Sequence, residues 1–159
     1  MEYLPQNASG LYLDIQKIGC FFRSALNLAE RKAQKSLTVS QINDLWSECK
    51  SLGYIGKLNG QYNCVLNSAK IATRAAEVLK LKGRFVEVGI MKEGIISFYK
   101  GVTPETATDF IQKIKQGGPS KTHFRVVAQN GSLLWEPHNP EIKSLGEIYT
   151  ICYQFREST

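Results

Sequence analysis

The chain has 159 residues, 43% of them hydrophobic and 21% charged, proportions of a globular protein that exclude a disordered or fibrous one. No apolar run approaches the ~18 residues of a membrane-spanning helix, and the opening MEYLPQNASG lacks the basic and apolar regions of a secretory signal, so a non-membrane, cytoplasmic protein is expected. The formal charge of +6 comes from 20 basic and 14 acidic residues, scattered rather than striped, which points to solvated faces and not to a nucleic-acid partner.

Helical periodicity begins at Cys20, where Phe21, Phe22, Ala25, Leu26, Leu28 and Ala29 form an apolar stripe. Arg23, Asn27, Glu30 and Arg31 lie on the other side. Gly19 before it permits a tight turn into the helix, and Arg31, Lys32 and Lys35 at its end complement the helix dipole. Thr38 followed by Gln41 has capping-box spacing and opens a second helix through Ile42, Leu45, Trp46, Cys49 and Leu52, stopped by Gly53. The segment Tyr54–Asn63 reads as a loop, and a third helix is predicted from about Leu66 to Leu81. Period-two alternation then predicts strands at 84–90 and 94–99. Thr103-Pro104-Glu105 has the form of a fourth helix start, with Ala107, Phe110, Ile111 and Ile114 as its apolar face and the run from Gly117 to Ser120 as its end. Strands are expected at 123–129, 132–136 and 148–155, the first two joined at Asn130-Gly131. Helices precede strands, so the expected class is α+β: N-terminal helices packed on a C-terminal antiparallel sheet, in one domain over residues 1–159.

A two-residue turn at Asn130-Gly131 sets Arg125 opposite Glu136 and His123 opposite His138. His123 and Glu136 become diagonal neighbours on one face, with Phe124, Val126 and Trp135 on the other. A cysteine in the first turn of a helix gains from the dipole, which favours thiolate. A histidine on a facing strand can pair with that sulfur, and a carboxylate or amide can orient the imidazole. The side-chain amide of Gln16, just ahead of Cys20, is the candidate oxyanion donor. The competing reading of Glu136 is a cross-strand ion pair with Arg125.

On Gln16-Lys17-Ile18-Gly19-Cys20 opening a helix, and on His123-Phe124-Arg125-Val126-Val127 followed by Trp135-Glu136-Pro137, the chain resembles the papain-like cysteine peptidases. The resemblance is to the bacteriocin leader-processing peptidase domains and their stand-alone bacterial relatives in particular. It implies the papain-like fold and a thiol hydrolase with Cys20 as nucleophile, His123 as base and Gln16 as oxyanion donor. Phe21 stands where that family usually has glycine, and Glu136 or Asn139 takes the place of its usual aspartate.

No cofactor is implied. Four cysteines without a CxxC pair and only two histidines form no zinc-ligand cluster, and neither a metal site nor disulfides are expected. Cys49 and Cys152 read as core packing and His138 as a surface residue, while Cys64 has no partner signature around it. Two functions follow. One is a cysteine peptidase or amidase acting through a thioester on a peptide or protein substrate; the other is a silent papain-like module that binds a protein or nucleic acid.

Overall fold

The computed structural model describes residues 2–58, 60–102, 107–118 and 121–158, with only the backbone described at 58 and 61–63. The helices are α1 (Leu13–Ile18), α2 (Cys20–Ala33), α3 (Val39–Ser51) and α4 (Ser68–Val78), with a hairpin of β1 (Ile55–Leu58) and β2 (Gln61–Val65) between α3 and α4. The remaining strands are β3 (Gly83–Lys92), β4 (Ile95–Phe98), β5 (Asp109–Lys115), β6 (Thr122–Val127), β7 (Leu133–Trp135) and β8 (Glu147–Glu157). They form one antiparallel sheet in the order β4-β3-β8-β5-β6-β7. The class is α+β, with helices ahead of an antiparallel sheet. Among the described residues no helix is long and apolar enough to cross a membrane.

Local signals hold where they are self-contained. Thr38 and Gln41 make both reciprocal bonds of the capping box at the start of α3, and Gly53 follows that helix with φ +78°. In α2 the periodicity is right, but the polar side is not solvated. Every residue from Phe22 to Glu30 is buried, and a polar network joins Arg23, Asn27 and Glu30 while leaving Arg23 Nη1, Ser24 Oγ and Asn27 Oδ1 without partners among the described residues. Glu30 accepts from Arg23 Nη2 at 3.1 Å, from Asn27 Nδ2 at 3.2 Å and from the Leu37 N–H at 2.8 Å. Arg23 also donates through Nε and Nη2 to the Leu4 carbonyl, at 3.1 and 2.6 Å, and its guanidinium lies 4.9 Å from the centre of the Trp135 ring.

The fourth helix does not form over its described residues. Thr103 to Glu105 lie outside the described residues, as do Pro119 and Ser120, and Asp109–Lys115 is the strand β5. The register shows why its apolar residues mislead. Phe110 stands opposite Val127 and Cys152, whereas Ile111 stands opposite Val126 and Ile151. Consecutive residues therefore enter different layers: Ile111 joins the core beneath the helices, and Phe110 a second cluster with Val88, Met91 and Ala107. A strand buried on both faces loses its alternation, and its apolar spacing then matches a helix by accident. Two smaller corrections concern Tyr54–Asn63, which contains most of the β1–β2 hairpin rather than a loop, and α1, a short helix that ends immediately before Gly19.

The Asn130-Gly131 turn is present but wider than two residues. Ala128 N–H bonds Ser132 O at 2.9 Å, and the pairing shifts between Val126↔Trp135 and Val127↔Leu133. Because β7 ends at Trp135 before Pro137, neither Arg125 and Glu136 nor His123 and His138 are ladder partners.

Candidate active site

Cys20 is the first residue of α2, so its N–H is one of the helix-terminal donors with no intrahelical acceptor. Its placement depends on Gly19 through close approach rather than unusual torsion. Gly19 has φ −86°, open to any residue, but a β-carbon there would lie 2.4 Å from the Ile15 carbonyl oxygen. Gly19 N–H bonds that same oxygen at 2.9 Å. This contact welds α1 to α2 and sets where the sulfur sits.

His123, on β6, is 3% exposed and lines the same cavity as Cys20, close enough for the two groups to couple electrostatically. Its Nε2 contacts Glu136 Oε1, which leaves Nδ1 as the ring nitrogen for the thiol. The same carboxylate oxygen accepts the His138 N–H at 3.0 Å, and Oε2 is buried without a partner among the described residues. Burial alone would lower the His123 pKa. The coupling to Cys20 and Glu136 overrides it and pushes the imidazolium up to about 9.

Three of the four site residues read from the sequence therefore meet: Cys20, His123 and Glu136. The ion-pair reading of Glu136 fails, since Arg125 Nε donates instead to Gln112 Oε1 at 2.9 Å. Asn139, the other candidate for the third position, is exposed and ties its main chain to the Asn7 side chain.

Gln16 is placed elsewhere. It belongs to α1, its amide Nε2 donates to the Leu11 carbonyl at 2.7 Å, and it does not line the cavity at Cys20. The glutamine that does so is Gln6, 3% exposed. Its N–H bonds Pro137 O at 2.6 Å and its Nε2 donates to Gln16 O at 3.2 Å, leaving one amide hydrogen uncommitted. Sequence reasoning missed it because nothing local marks it: it stands in an irregular strap ahead of α1. His138 departs from expectation too. It is half-buried and lines the same cavity, with Nδ1 2.9 Å from Pro140 O.

The cavity has a volume of about 420 Å³. Cys20 and His123 open into it beside the stacked Phe21 and Phe124 rings, 4.0 Å between centres, with Trp46, Ile55 and Val65 on an apolar wall. Lys17 and Thr122 add polar groups. No other cysteine has this company. Cys49 is in the core, its thiol pushed up to about 12 by burial and then by Glu48; Cys152 rises to about 11 through burial and the charges of Glu87 and Glu147. Cys64 lies half-exposed on β2. Among the described residues no three His, Cys, Asp or Glu side chains gather as metal ligands. No protein-family model, curated protein or solved structure matches the chain.

Proposed function

We propose that the chain is a cysteine hydrolase of papain-like architecture that cleaves a peptide or other amide bond. The observation that carries this reading is one cluster opening into a cavity: Cys20 at a helix start, His123 lining the same cavity beside it, and Glu136 holding Nε2 of the ring. A protonated imidazole beside the sulfur is the arrangement in which cysteine reacts as thiolate. The Cys20 sulfur attacks the substrate carbonyl carbon, and its proton resides on His123. The resulting oxyanion is received by the Cys20 N–H and by the free amide hydrogen of Gln6, in the role first assigned to Gln16. His123 then protonates the leaving amine as the carbon–nitrogen bond breaks. Water, deprotonated by His123, cleaves the thioester and frees the sulfur. Glu136 keeps the imidazole oriented throughout and compensates its charge.

The test is limiting alkylation of the native protein with iodoacetamide across pH, with modified peptides located by mass spectrometry. Cys20 is expected to label first, down to about pH 6, and to lose that advantage in His123→Ala. Cys49 and Cys152 are the internal controls and should stay unmodified until the protein unfolds. Equal rates at Cys20 and Cys64, insensitive to His123→Ala, would refute the proposal and leave a binding module as the reading. A fluorogenic peptide screen follows only from the first outcome.

A further inference from the structure

A second cavity, about 600 Å³, lies away from Cys20. It runs between one side of α4, carrying Lys70, Thr73 and Arg74, and the part of β3 that β4 does not cover, since β4 pairs only with Gly89–Lys92. Two arginines on its strand side face each other: Arg84 and Arg156 are direct partners in the β3–β8 ladder. Directly opposed like charges in a sheet repel and cost stability.

Among the described residues neither arginine has a carboxylate within ion-pair distance, and Arg156 bonds only the neutral Gln154, through Nε at 2.9 Å. The two carboxylates that line the cavity are committed elsewhere. Glu77 is held by Arg74 at 3.0 Å, and Glu87 accepts the Tyr99 hydroxyl. Lys70 adds a further cation, 5.6 Å from the Tyr54 ring. The rest of the wall is largely apolar, with Tyr54, Phe85 and Val86. Strand addition is not what this edge offers, because Thr73 Oγ1 already takes the Phe85 N–H at 2.9 Å.

We propose that this cavity binds a small phosphorylated molecule, its phosphate bridging the guanidinium groups of Arg84 and Arg156 and its apolar body lying along Tyr54 and Val86. Paired guanidinium forks match the tetrahedral oxygens of a phosphate, and the volume suits a small ligand. Binding would convert the repulsion between the arginines into attraction for a shared anion. The site does not involve Cys20 and stands whether or not the chain is a hydrolase.

Phenyl phosphate serves as the probe, in thermal unfolding and calorimetric titrations at constant ionic strength, with inorganic phosphate, phenol and a ten-nucleotide oligothymidylate alongside. Phenyl phosphate is expected to raise Tm saturably and to bind more tightly than inorganic phosphate, with phenol inert. In Arg84→Gln and Arg156→Gln the dissociation constant should rise about tenfold or more. The same variants should have a higher Tm than the wild type when ligand-free, because the repulsion is gone; a residue with a merely structural role would lower it. Arg84→Lys, which keeps the charge and loses the fork, should fall between. Cys20→Ser should bind as the wild type does. The proposal is overturned by no saturable rise, by the same rise in the Gln variants, or by binding of the oligonucleotide alone.

Discussion

Glu136→Gln isolates what the carboxylate contributes to His123. The amide is isosteric and keeps an oxygen for the His138 N–H and for the imidazole, so charge is the main thing removed. In the wild type the His123 pKa is raised from its ordinary 6.5 to about 9, against the pull of burial. A group raised in the folded state stabilises the fold while it is protonated. The contribution, ~3 kcal/mol at 1.36 kcal/mol per pH unit, is complete below pH 6.5, fades as pH rises, and is gone above about 9. A neighbouring opposite charge moves a pKa by about one to three units. Losing Glu136 should therefore bring the His123 titration down by about one to two, with Cys20 sustaining the rest. Urea unfolding should then show the variant less stable by roughly 1–3 kcal/mol at pH 6, with the deficit vanishing or reversing at pH 10. The imidazole proton resonances, followed by NMR, give the titration directly, and the upper limb of Cys20 alkylation should shift with it. An unchanged His123 titration, or a stability deficit equal at both pH values, would refute the reasoning.

Gln6→Ala and Gln16→Ala separate the two glutamines: the first should lower amide-cleavage kcat by about 100-fold with little change in Cys20 alkylation, and the second should leave kcat nearly unchanged, as steady-state kinetics will tell. Arg23→Met strands Glu30 in the core and should cost about 3–5 kcal/mol in denaturant unfolding, whereas Arg23→Met with Glu30→Leu should recover much of that loss. Gly19→Ala places a methyl group against the Ile15 carbonyl; Tm should drop and Cys20 alkylation should slow in the fraction that remains folded.

The parts legible in the sequence are those whose signal is local and singly determined. Thr38 with Gln41 is one, and Gly53 closing α3 another; so is the Cys20 helix start, because apolar residues at helical spacing follow it without a break. Where a residue answers to two masters, the reading fails. Ala107, Phe110, Ile111 and Ile114 have helical spacing, yet Phe110 and Ile111 are neighbours on a strand that enter opposite layers, Ala107 joining the first of them. Arg23, Asn27 and Glu30 are polar by type but buried, and they bond to one another around the Glu30 carboxylate rather than to water. At the site, Cys20, His123 and Glu136 were readable from helix start, strand and turn. The meeting of His123 and Glu136 arises from the Pro137 turn and not from the ladder that the sequence suggested. Gln6 was invisible for a different reason: its position is fixed by a bond to Pro137 O and no neighbour in sequence announces it.

That bond belongs to a strap. Gln6 joins Pro137, and Asn7 joins Asn139 across a separation of 132 residues. Arg23 anchors the strap at Leu4 and leans on Trp135 beside Glu136. A ribosome makes Gln6 and Cys20 before His123, Glu136 and the Pro137–Asn139 segment, and neither has its companions until those follow. On the proposed function, a nascent chain thus carries a thiol of no special reactivity until the strap and the Pro137–Asn139 segment have closed on each other. If Cys20 labels selectively at low pH as proposed, that labelling becomes a clock for folding, one that starts only when the Gln6–Asn7 strap has met the Pro137–Asn139 segment.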